Sequence, residues 1–128
     1  MKIPHIITSE QWKNEIWLCW WWTPKEYSEY LESQDVKDYS EPTGAGETTV
    51  LSTGGILMWV GERDAIDMLL TLNHEIFHAT DYLLRKKVWI TLSDDSDETY
   101  AYTIAWMQWK FYEYIKLEPF VTIKETNE

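Results

Sequence analysis

In this chain of 128 residues, His74, Glu75 and His78 stand in the run His74-Glu75-Ile76-Phe77-His78. Two imidazoles lie four positions apart with a carboxylate next to the first. On an α-helix, with about 1.5 Å of rise and 100° of turn per residue, such imidazoles sit about 6 Å apart along the axis and about 40° apart around it. They can therefore converge on one ion. Zinc is the expected ion, because two neutral imidazoles and one carboxylate form a common catalytic ligand set that leaves a fourth position open to water. Glu75 is expected beside the ion rather than on it, where it can take a proton from water that the metal has acidified. The chemistry implied is hydrolysis, with Glu75 as general base.

A third ligand has two candidates. Glu98, 24 positions after His74, falls at the start of the next expected helix. Its neighbours Asp94, Asp95 and Asp97 make the segment strongly anionic, and a cation offsets that repulsion. Asp81, three positions after His78, is the rival on the histidine helix itself, with a hydrogen bond to an imidazole N–H as its expected role. Tyr102, four residues after Glu98 and on the same helical face, is a candidate for donating its hydroxyl to a developing oxyanion. His5, the third histidine of the chain, is read as a strand or surface residue.

The elements that must position these groups follow from pattern. From Arg63 to Lys87 there is no Gly or Pro, and apolar positions recur at helical spacing, which predicts the longest helix around the histidines. Asp64 and Asp67 at its start and Arg85, Lys86 and Lys87 at its end complement the helix dipole. Ser96 is the expected cap of a last helix running to about Leu117. Residues 3–7 and 15–22 read as a first strand pair. Thr23-Pro24-Lys25-Glu26 reads as a capping box opening a short helix to about Leu31. Residues 33–47 read as a long loop, and 48–52 and 56–60 as a second hairpin closed around Gly54 and Gly55.

Composition narrows the class. The chain carries 11 basic and 22 acidic residues, a net charge of −11, which repels phosphate backbones and anionic lipid headgroups. Direct nucleic-acid binding is disfavoured. The longest wholly apolar run, Ile16 to Trp22, is too short to cross a bilayer. The single cysteine, Cys19, and the absence of a secretory pattern at the N-terminus fit a reducing cytoplasm. The nine tryptophans, with Trp20-Trp21-Trp22 and the Trp106/Trp109 pair most conspicuous, are expected mainly in the core. Any left exposed could line a protein partner site.

His74, Glu75, His78 and Glu98 together resemble the gluzincin metallopeptidases, in which HExxH is followed by a glutamate on a later helix. More closely, HEIFHATDYLL followed after a loop by DDSDETYAY is similar to small zincin-like proteins encoded by phages and prophages, over about residues 47–112. The resemblance implies a zinc peptidase with His74, His78 and Glu98 as ligands, in a host cytoplasm. It also implies a substrate-binding edge in the strand before the active-site helix, here Ile56 to Val60. Thermolysin-type enzymes usually carry an aspartate four positions after the glutamate; Tyr102 stands there instead. The expected fold is a single α+β domain over residues 1–128. In it a small antiparallel sheet of three to four strands packs on a zincin-type active-site helix and a final glutamate-bearing helix. The expected function is a zinc-dependent metallohydrolase acting on a peptide or protein. The alternatives are a non-catalytic accessory protein of zincin fold and an acidic mimic of nucleic acid.

Overall fold

A computed structural model of the chain describes residues 2–34, 36 and 41–116. Strands β1 (His5–Ser9) and β2 (Asn14–Trp22) form an antiparallel hairpin with Ile7 opposite Ile16. Helix α1 (Pro24–Ser33) opens on the expected capping box: the Glu26 N–H donates to the Thr23 hydroxyl at 3.1 Å, and the Thr23 N–H donates to the Glu26 carboxylate at 2.8 Å. Strands β3 (Gly46–Val50) and β4 (Ile56–Gly61) form the second hairpin, turned at Gly54 with φ of 91°, a left-handed conformation that favours glycine. Helix α2 (Ala65–Asp81) is capped by the Asp64 side chain and continues into a π-helical turn, Tyr82–Lys87, so helical backbone covers nearly all of the expected 63–87. Helix α3 (Asp97–Ile115) is the last. Part of the expected 33–47 loop, the expected helix end near Leu117 and the tail after it lie outside the described residues.

The sheet corrects one expectation. It has four strands in the order β1-β2-β4-β3 and is mixed, because β2 and β4 pair in parallel. The reason lies in β4. Its six residues carry no charged or hydroxyl side chain, and all six are buried. A strand of that kind is stable only with neighbours on both edges and layers on both faces. β3, with the sequence GETTV, tolerates an edge. The two hairpins join through the second strand of each, and those strands run parallel, with α1 and β3 in the connection between them. Among the described residues, the sheet edge next to α2 is therefore β3, and not the Ile56 to Val60 strand that the sequence pointed to.

Alternation along β4 divides the core. Ile56, Met58 and Val60 face α2 and α3, where they pack with Ile16, Leu72, Ile76, Leu83, Met107 and Phe111. Leu57 and Trp59 face α1 and pack with Cys19, Trp22, Tyr27 and Leu31. The Trp59 indole donates to the Trp22 carbonyl at 2.9 Å, and its ring stacks on Tyr27 with centroids 5.2 Å apart. Trp22 is thus core, as expected, whereas Trp21 breaks the register with φ of 68° and turns outward. Ser96 occupies the N-cap position of α3, as expected, but without a side-chain cap bond: its hydroxyl accepts from the Ser93 N–H at 2.9 Å and donates to the Thr91 carbonyl, which ties the connector together. No described helix is long and apolar enough to cross a membrane.

Edge strand β3 is held from the α1 side by Tyr27, whose buried hydroxyl donates to Glu47 Oε2 at 2.7 Å and lies 3.2 Å from Thr49 Oγ1. Burial, before any other cause, pushes this phenol far above its ordinary range. It stays a neutral donor at every working pH. Because a hydrogen bond to a charged group is worth about 1.5–3 kcal/mol, Tyr27→Phe should lower the urea midpoint by an equivalent amount with an unchanged m-value. An unaltered midpoint would show that β3 is held by other means.

Candidate active site

Helix α2 turns Leu72, Ile76 and Ala79 into the core, which leaves His74 and His78 on its exposed face. Their Nε2 atoms face each other at 3.1 Å, and the rings meet edge to face with centroids 4.7 Å apart. Two nitrogens held by one tetrahedral zinc at its usual bond lengths stand about 3.3 Å apart. The pair therefore fits two of the four positions of such an ion. Without an ion, one imidazole must donate its N–H to the other.

Glu75 points the other way. It is only 5% exposed, and its Oε1 accepts from the Thr48 hydroxyl at 2.7 Å. A charge-assisted bond of this kind offsets part of the cost of removing a carboxylate from water. Thr48 belongs to β3, which approaches α2 closely because residue 46 is glycine. A Cβ there would lie 2.6 Å from Thr71 Cγ2, 2.7 Å from the Trp59 carbonyl oxygen and 3.2 Å from Glu75 Oε2. Between strand and helix runs an open groove of about 360 Å³ lined by Ala45, Gly46, Leu70, Thr71, His74 and Glu75. Glu75 and His74 thus border one space, beside the edge strand β3.

The remaining candidates are placed elsewhere. Asp81 is occupied by its own partners: Arg85 Nε donates to it at 3.0 Å and the Tyr100 hydroxyl at 2.9 Å. It makes no bond to an imidazole. Burial and then the Asp81 carboxylate push the Tyr100 phenol up, which keeps it a donor. The Asp81–Tyr100 bond, with the bond from Gln108 to Asn73 at 3.0 Å, sets α2 and α3 antiparallel. Glu98 then lies past the level of Asp81, about 7 Å beyond His78 and about 13 Å beyond His74 along the axis at the usual helical rise. It is exposed and is not brought to the histidines. Among the described residues no three His, Cys, Asp or Glu side chains gather as a metal site. Tyr102, 74% exposed, lines a different cavity, of about 570 Å³, between the β1–β2 turn and α3, together with Trp12, Trp106 and Trp109. His5 stacks on Tyr114 at 3.8 Å.

Thr48 and Gly46 were missed at the level of sequence. Strand alternation puts residues 46, 48 and 50 on one face, and a glycine inside a strand marks a close approach; what the sequence does not say is that α2 is the approaching element. No protein-family model, curated protein or solved structure matches the chain.

Thr48→Val should leave the Glu75 carboxylate buried without its donor and destabilise the fold by about 1–3 kcal/mol. Gly46→Ala should cost about 1–3 kcal/mol through overpacking against Thr71 and the Trp59 carbonyl. Urea denaturation of both variants checks this. Wild-type midpoints in both would mean that β3 does not press on Glu75.

Proposed function

We propose that the chain is a zinc-dependent hydrolase that cleaves amide bonds in a peptide or protein, with His74 and His78 as metal ligands, Glu75 as general base and Glu98 as third ligand. The observation that carries this reading is the 3.1 Å facing of the two Nε2 atoms beside a groove that His74 and Glu75 share. Zinc held there would acidify water and polarise a carbonyl. Glu75, anchored by Thr48, takes the proton from the attacking water and delivers it to the leaving amine. The free edge of β3 offers backbone groups with which an extended peptide can pair. The groove that His74 and Glu75 share is where the scissile bond must lie. Glu98 reaches the histidines only if the start of α3 gives up the Tyr100–Asp81 bond and re-docks nearer to the pair. Tyr102 has no part in this mechanism, since it lines another cavity.

The non-catalytic docking protein is the second reading, favoured by one observation: the proposed third ligand stands away from the other two. Two measurements separate the readings. In excess zinc the wild-type chain should take up about one ion, and His78→Ala should lose that uptake. Glu75→Gln should keep its zinc and melting temperature, while cleavage of a quenched fluorescent peptide library falls about 10²–10⁴-fold, the usual worth of a general base. Wild-type cleavage by Glu75→Gln would remove Glu75 from the chemistry, and failure to take up zinc at neutral pH would end the hydrolase reading.

The ligand set has its own test. Glu98→Ala should weaken zinc binding in a calorimetric titration far more than Asp81→Ala, whose effect should stay within the about 10–100-fold of a residue acting through another. The reverse order would contradict the role given to Glu98.

A further inference from the structure

The histidine pair offers two donors where zinc takes four, and both imidazoles are exposed on the outer face of α2. No carboxylate or thiolate of the described residues joins them. Apolar residues that the fold leaves uncovered border them on the same helix: Ile66 at 58%, Leu70 at 62% and Phe77 at 41% exposure. A helix face with two convergent donors and an uncovered apolar margin is half of a symmetric metal site. We propose that a second copy of this chain supplies the other half, so that one zinc ion is held by His74 and His78 of two copies across a two-fold axis.

Charge and symmetry both favour this occupant. A two-fold contact places the same patch on both partners, so residue i of one meets residue j of the other and the reverse. With two α2 helices antiparallel about the midpoint of the histidines, His74 of each copy faces His78 of the other. Asp67 and Arg85 lie nine positions on either side of that midpoint. The acidic start of one helix then meets the basic end of its mate, twice. Arg85 is exposed and bonds to Asp81, about one turn past His78, at 3.0 Å. Parallel docking would set like charges against each other. At a net charge of −11 per chain, two copies repel. A shared divalent cation and two crossed ion pairs oppose that repulsion where the copies touch.

The inference rests on the reading of His74 and His78 as zinc ligands and not on hydrolysis. Four imidazoles fill a tetrahedral ion and leave no open position, which is the mark of a structural site. The dimer is therefore a closed form, and loading of each chain with its own ion is the open one. This makes the oligomeric state depend on zinc in a non-monotonic way: dimer at half an equivalent per chain, monomer when zinc is in excess and every pair holds its own ion.

Native mass spectrometry and sedimentation velocity on the full chain, with zinc as the only added ligand, test it. At half an equivalent the wild type should sediment as a dimer carrying one zinc, and a chelator or a large excess of zinc should return it to monomer. His78→Ala should stay monomeric at every ratio. Asp67→Lys and Arg85→Glu should each weaken the dimer, and the two together should restore it while zinc uptake is unchanged. Zinc bound one per chain with no dimer at any ratio would overturn the inference and leave the hydrolase reading standing. A dimer that persists in His78→Ala or without zinc would overturn it as well. A chain that takes up no zinc would overturn both.

Discussion

Strand β4 must be covered on both faces and both edges, and the rest of the architecture answers that requirement. Burying one large apolar side chain is worth about 1.5–3 kcal/mol, and β4 buries Ile56, Leu57, Met58, Trp59 and Val60 in succession. Such a strand is drawn to the centre of the sheet, with α2 and α3 on one side and α1 on the other. Its hairpin mate β3, rich in hydroxyls, is left at the edge. Since β4 leads directly into α2, the edge strand next to β4 also lies alongside that helix. The meeting of Thr48 with Glu75 follows from this sequence of constraints.

The two sides of α2 then do different work. Toward β3 it buries a carboxylate, and the hydroxyl that meets it fixes the position of Oε1 within hydrogen-bond reach. Toward solvent it presents two imidazoles with few neighbours to hold them other than each other. The proposed site thus sets a buried, hydrogen-bonded carboxylate beside an exposed pair of donors. The link between α2 and α3 is polar: Asp81 with Tyr100, Asn73 with Gln108 and Tyr112. These bonds hold the start of α3, and with it Glu98, at a level beyond the histidines. The place of Glu98, the proposed third ligand, is thereby set by these interhelical hydrogen bonds.

Much of the local structure was legible in the sequence because it depends on neighbours along the chain. The capping box at Thr23 and Glu26, the glycine turn at Gly54, the acidic start of the long helix at Asp64 and the helical placement of His74, Glu75 and His78 are all of this kind. What was not legible depends on elements far apart in sequence. The pairing of β2 with β4 reflects competition among strands for the central place, which no single strand encodes, and its parallel direction depends on how the chain returns through α1 and β3. Asp81 faces the histidine side of its helix in sequence, yet Tyr100 and Arg85 claim it once α3 docks. Glu98 and Tyr102 share a helical face in a wheel projection. That projection says nothing about how far α3 is shifted along α2, and that shift decides what they can reach.

The central claim is that His74 and His78 together hold zinc, and it bears on hydrolysis and on assembly alike. Crystals grown with zinc and measured on both sides of its absorption edge test that claim most directly. The account predicts an anomalous peak at about 2.0–2.1 Å from Nε2 of both His74 and His78. A zinc peak bound elsewhere on the chain, with the two imidazoles hydrogen-bonded only to each other, would contradict it.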